Sequence, residues 1–243
     1  EFPLGLFGVA LGTVILPHLA RRHADTDVEG YAAALDWGLR TVLLLALPAA
    51  LGLALLAEPL AMILYERGSF EASDSRMTAL AMVAMSVGIP GFMASKVLLS
   101  AFYARQDTRT PMRMAVATVF INVGLTAAIA TPLWLGGIEG AHAGIALATG
   151  IAGLANAALL WRALRRGGFE VSAGWGRHLL RLAVACVALS IAVLAVQHAA
   201  GDWRAWSGIA RWGWVLGAVA AGAGAYGLAL LATGWRPRDL RGP

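Results

Sequence analysis

Three observations predict an all-α polytopic membrane protein with seven transmembrane helices. Composition is the first: 59% of the 243 residues are hydrophobic, 14% are charged, and the mean hydropathy is +0.69, far from the balance of a water-soluble domain. Spacing is the second, because apolar runs recur at roughly regular intervals, each near the about 20 residues of helix that cross a hydrocarbon core. The third is the stretch Glu1 to His18, EFPLGLFGVALGTVILPH, an apolar helix that holds an acid, two prolines and three glycines without a hydrophilic face. In water such a segment would leave too much apolar surface uncovered. The 29 glycines suit the same class, since small residues let helix backbones approach where lipid removes the hydrophobic drive.

Between polar punctuation the spans fall at residues 1–20, 36–57, 76–104, 112–133, 140–161, 178–199 and 209–234. Basic residues then set the orientation. Arg105, Arg109 and Arg113 crowd one connection, Arg162, Arg165, Arg166 and Arg177 another, and Arg236, Arg238 and Arg241 the tail. By the positive-inside rule these ends and the loop with Arg21 and Arg22 are cytoplasmic. Trp203, Trp206, Trp212 and Trp214 gather at the outer end of the last helix and Trp235 at its inner end, as interfacial belts do. Pairs of small residues four apart, Gly8 with Gly12, Gly140 with Gly144 and Gly213 with Gly217, are expected to form packing faces. The opening on Glu1 and the lack of a signal-peptide pattern suggest a fragment whose first half is missing.

Several motifs fail on context. GAGAYG, residues 222–227, fits GxGxxG but lies inside an apolar helix with no strand before it. DTDVEG, residues 25–30, with Asp36 at the twelfth position, approaches a calcium loop but lacks the bidentate Glu and reads better as acidity at a helix start. The five histidines are dispersed without HExxH or Cys/His spacing, so no metal site is expected. No nucleophile elbow or phosphate loop occurs, and catalytic residues are expected to be none. The net charge of +5 and pI near 10.1 come from arginines in short loops, which are topology determinants rather than a nucleic-acid groove. Cys186 stands alone, a small buried hydrophobe by expectation.

Ionisable residues within spans cost about 2.5–3.5 kcal/mol at mid-membrane and default to functional candidates. Lys96 is the only lysine among 19 basic residues, and it lies about 13 Å of helix before Arg105. Two readings of it stand: a cation facing a cavity, or a side chain that snorkels or closes an ion pair. Glu1 is an acidic counterpart in the first helix, either in a pathway or at an interface. Asn122 and Asn156 are amides in mid-helix, and Thr126 follows Asn122 by one turn, a spacing that offers two oxygens to a small cation or hydrogen bonds to a neighbouring helix. Asp36 and Arg40 form an i,i+4 pair explained by an intrahelical salt bridge, and Arg181 snorkels.

Three segments carry a resemblance: EFPLGLFGVALGTVILPHLAR at the start, DWGLR at Asp36 to Arg40, and KVLLSAFYARQDTRTP at Lys96 to Pro111. Together they resemble the MurJ (MviN) family of bacterial lipid II flippases, within the multidrug/oligosaccharidyl-lipid/polysaccharide exporter superfamily. The resemblance implies helices eight to fourteen of a fourteen-helix transporter. Residues 1–161 would be an incomplete second lobe of about five helices, 162–177 a basic cytoplasmic loop, and 178–243 two additional helices with a cytoplasmic tail. It implies a protein of the bacterial inner membrane that moves undecaprenyl-pyrophosphate-linked disaccharide-pentapeptide to the periplasmic leaflet by alternating access. The implied partners are lipid II, membrane lipids and the missing N-terminal half. No cofactor is implied, and the membrane potential or a monovalent ion would reset the carrier.

Carried over by position, Glu1 and Lys96 match charged cavity residues of the family. Asn122 and Thr126 make at best part of an ion site, with Asn156 as a further polar candidate. Pro3, Gly5, Gly8, Gly12, Pro17 and Pro90 are candidate hinges or packing positions. The rivals are an exporter of drugs or of another polyprenyl-linked glycan, and a membrane-embedded polyprenyl-phosphate transferase.

Overall fold

A computed structural model describes residues 9–66, 70–169, 172–206, 208–236 and 239. They form helices α1 (Val9–Ala24), α2 (Val28–Leu55), α3 (Ala57–Tyr65), α4 (Ala72–Ser86), α5 (Ile89–Ala104), α6 (Arg109–Leu135), α7 (His142–Arg166), α8 (Trp175–Ala200) and α9 (Gly208–Ala232), with a single 3-10 turn at Trp203–Ala205. Among the described residues, six segments are long and apolar enough to cross a membrane: α2, the run Ala72–Ala104, α6, α7, α8 and α9. Of the first expected span, only Val9 onward is described, as the 16 residues of α1.

Three boundaries differ from expectation for physical reasons. Helix α2 starts at Val28 rather than at residue 36, because Asp27 caps it: its Oδ1 accepts from the Gly30 amide at 2.8 Å, and its other oxygen takes Arg22. Hydropathy is blind to such a polar first turn. The Arg22 and Gly30 bonds hold the Asp27 carboxyl below the usual range, so the acidic DTDVEG stretch is a helix start. The span expected as one helix over 76–104 breaks at Val87 and Gly88 and resumes with Pro90 in its first turn, where proline needs no N–H partner. Helix α3 follows the end of the span expected at 36–57, as a further short helix that none of the expected spans includes.

Helix α5 is the centre of the larger bundle, packed by α1, α2 and α7. Leu35, Leu39 and Val42 of α2, Met93, Val97, Leu98 and Ala101 of α5, and Leu160 and Leu164 of α7 form its buried core. Backbone contact makes this packing tight: a Cβ at Gly88 would lie 2.6 Å from Gly150 Cα, and one at Gly91 2.5 Å from the Leu154 nitrogen. Gly153 meets the Phe92 ring in the same way. These glycines, rather than Gly213 and Gly217, bring helices together; the latter two have no described neighbour within 4 Å. Gly144 does pack, against Ala130 of α6, while Gly140 serves a turn at φ +89°.

Helices α8 and α9 form a pair that docks on α2 through Leu44, Leu182, Leu189, Val193, Ala218 and Leu230. Two hydrogen bonds reinforce it. Pro48 inside α2 lacks the N–H that would reach Leu44, and the Tyr226 hydroxyl donates to that Leu44 carbonyl at 2.7 Å. Gln197 Nε2 donates to the Leu55 carbonyl at the C-terminal end of α2, at 2.6 Å.

Gly91→Val is expected to force the α5 and α7 backbones apart at a cost of about 1–3 kcal/mol. Gly213→Ala, which faces open space, should leave thermal unfolding in detergent unchanged or slightly raised.

Candidate functional site

Lys96 lies in the middle of α5, on the side opposite the packed face. Met93, Val97, Ser100 and Ala101 are buried among α1, α2 and α7, whereas Lys96 and, two turns later, Tyr103 are exposed. Among the described residues no carboxylate pairs with the Lys96 ammonium; both recorded ion pairs, Arg22 with Asp27 and Arg40 with Asp36, lie elsewhere. Arg105 closes the helix as its C-cap and turns back to Tyr31, donating to its hydroxyl at 3.1 Å with the guanidinium 4.6 Å from the ring centre. The Tyr31 hydroxyl in turn donates to the Ala101 carbonyl at 2.6 Å. The basic end of α5 is thereby locked to the start of α2.

Asp107 organises the connection to α6. Its Oδ1 accepts from the Arg109 and Thr110 amides, each at 3.0 Å, and the Thr110 bonds hold its carboxyl below the usual range. The anion suits the positive end of α6.

Of the polar candidates, Asn156 is fully engaged between helices. Its Nδ2 donates to Ser95 of α5 at 3.1 Å, and its Oδ1 accepts from Thr118 of α6 at 3.1 Å. Asn122 differs: among the described residues its Oδ1 is buried without a partner. Thr126, also half-buried, is not brought to Asn156 by any hydrogen bond. Pro17 lies exposed in α1, and Gly12 belongs to the same helix. Glu1, Pro3, Gly5 and Gly8 lie outside the described residues.

A second polar constellation joins α2 to the α7–α8 loop. Asp36 is buried at 8% exposure, and its salt bridge to Arg40 Nε, at 2.7 Å, is the intrahelical pair expected from the sequence. That pair is only part of the account. Ser172 donates to Asp36 Oδ2 at 2.6 Å and Trp175 Nε1 to Oδ1 at 2.5 Å. Arg40 donates onward to Ser172 Oγ and the Ala173 carbonyl, both at 2.9 Å, with its guanidinium 5.2 Å from the Trp175 ring centre. A buried carboxylate inside an apolar helix requires donors, which was the available signal; their identity, more than a hundred residues away, was not.

The sequence comparisons can be set beside this geometry. The family model described as "Lipid II flippase MurJ" matches residues 1–211. A probable lipid II flippase MurJ of Vibrio cholerae is 38% identical over 242 residues, covering 99% of this chain and 45% of that relative. The chain belongs to the MurJ family. The lipid II flippase MurJ of Burkholderia cenocepacia is 41% identical over 191 residues, covering 78% of this chain and 36% of the relative. The fold is similar to a solved lipid II flippase MurJ in an inward closed conformation, with a TM-score of 0.74 at 22% identity, over 94% of this chain and 43% of that one. The chain thus spans a little under half the length of these MurJ relatives.

Asp36→Ala is expected to cost on the order of 3 kcal/mol, since it strips a part-buried guanidinium and two further donors of their acceptor. Hydrogen exchange should show the loop around Ser172 to Trp175 released, with the α5–α7 contact still protected.

Proposed function

We propose that this chain forms the second lobe and the two additional helices of a fourteen-helix lipid II flippase, with α1 as a seventh span. The protein would carry the lipid-linked peptidoglycan precursor from the cytoplasmic to the periplasmic leaflet of the inner membrane. Membership of the MurJ family, whose members carry that function in their names, is the observation that supports this most strongly. It is a transport role, in which binding and rocking of lobes replace bond chemistry.

Lys96 is the residue on which the headgroup reading rests. A pyrophosphate crossing hydrocarbon needs cations in a hydrated cavity, and an ammonium on the uncovered face of a central helix suits a charge-assisted contact. Its exposed, unpaired state supports facing the other lobe across the cavity. The basic ends of α5, α7 and α9 favour a cytoplasmic placement of those ends, including the C-terminus. Bending at the α4–α5 break around Pro90, and at the Pro17 turn of α1, would serve the rocking motion. The unpartnered Asn122 oxygen, with Thr126 one turn on, supports a polar position that a monovalent coupling ion could use.

The test is lipid II exposure on the periplasmic face in cells depleted of the native flippase and supplied with the full-length protein carrying this segment. Wild type is expected to restore exposure, and Lys96→Ala at equal membrane abundance to lose it about tenfold or more. Failure of wild type overturns the flippase reading. Full rescue by Lys96→Ala overturns the headgroup role of the lysine alone.

A further inference from the structure

At the arginine-rich end of the helices, α2, the start of α8 with the residues before it, and the residues that follow α9 line an open cavity of about 640 Å³. Arg40, Gly174, Arg177, His178, Arg181 and Trp235 are among its lining residues. We propose that this cavity binds the phosphate of an anionic glycerophospholipid in the adjoining leaflet. This goes beyond the flippase reading, since it requires neither lipid II nor transport.

Three independent features converge on an anion. The first is charge: three guanidiniums line the cavity against two carboxylates, and with Arg40 paired to Asp36, Arg177 and Arg181 outnumber Asp239. Asp36 accepts from Arg40, Ser172 and Trp175, and Asp239 accepts from the Arg236 amide at 3.0 Å. The second is unmet donor capacity. Among the described residues, Arg181 Nε is buried without a partner. A buried N–H in a native fold finds an acceptor, and a phosphate oxygen is one that fits it. The third is the N-terminus of α8, which opens at the cavity on Gly174 (φ +92°) with no side-chain cap. Its first-turn amides point their dipole toward bound anions.

The surroundings say that the anion carries an acyl chain. Beside the cavity, Leu180, Val184, Val187, Ile191 and Leu194 form an exposed apolar stripe along α8, spaced three and four residues apart as on one helix face. Trp37 and Leu44 of α2 line the cavity beside its arginines, and a headgroup seated there lays its chains against that stripe. The volume falls within the about 300–1,000 Å³ that small ligands occupy. Basic pockets between membrane helices are a recurrent headgroup site.

The test uses the full-length protein, delipidated in detergent and titrated in native mass spectrometry with phosphatidylglycerol, phosphatidylcholine, undecaprenyl phosphate and inorganic phosphate. Phosphatidylglycerol is expected to bind in preference to the other three. The double variant Arg177→Gln/Arg181→Gln should weaken it about tenfold or more, while Arg177→Lys/Arg181→Lys retains most of it. Arg165→Gln/Arg166→Gln, at the end of α7, serves as the control for general surface charge and should bind as wild type does. Equal binding of phosphatidylcholine, preference for undecaprenyl phosphate, displacement of phosphatidylglycerol by millimolar inorganic phosphate, or unaltered binding in the glutamine double variant overturns the proposal. Equal loss in the α7 control overturns it too.

Discussion

Helix α2 must find partners for backbone groups that its own sequence leaves unpaired, and the attachment of the α8–α9 pair depends on how it does so. In hydrocarbon, an unmet carbonyl has no water to turn to. Pro48 removes the amide that would satisfy Leu44, and Tyr226 of α9 supplies a hydroxyl instead. At the C-terminal end of α2, Gln197 of α8 takes the Leu55 carbonyl. Near the other end, buried Asp36 takes Ser172 and Trp175 from the segment that opens α8. Three polar contacts at three depths therefore fasten the pair along α2, with the apolar contacts of Leu182, Leu189 and Val193 between them. The apolar contacts alone would not fix a register, because lipid tails compete for the same surfaces.

The opposite side of α2 holds α5, and there backbone contact takes the place of polar fasteners. Gly88 and Gly91 meet the Gly150–Leu154 stretch of α7 so closely that no side chain fits between them. Because α5 spends its small and apolar residues on α1, α2 and α7, Lys96 is left on the remaining face. Among the described residues its ammonium there has no carboxylate partner. The same bundle keeps Asn156 occupied by Ser95 and Thr118, which separates a polar residue used for packing from one, Asn122, whose oxygen is left open.

The six spans from α2 to α9 were legible because hydropathy reports on lipid contact irrespective of which helix lies next door. That property also limited the reading. The run from Ala72 to Ala104 stays apolar through Gly88 and Pro90, so its break is invisible to hydropathy, as is the Asp27-capped start of α2. Glycine spacing pointed to Gly213 and Gly217, which face open space, and passed over Gly91 and Gly153, because spacing along one helix does not say which face a partner covers. Lys96 stood out as the only lysine in the chain. Asp36 was read as one half of an intrahelical pair, since Ser172 and Trp175 are 136 and 139 residues away and only the folded chain brings them together.

The claim that α9 is fastened to α2 through a carbonyl orphaned by proline is tested by a double-mutant cycle of Tyr226→Phe and Pro48→Ala, read by unfolding in detergent. Tyr226→Phe alone should cost about 1–3 kcal/mol, the penalty for an unmet buried acceptor. In the Pro48→Ala background, where Leu44 regains a helical amide, the same change should cost about 0.5 kcal/mol or less. Equal costs in the two backgrounds would contradict the account.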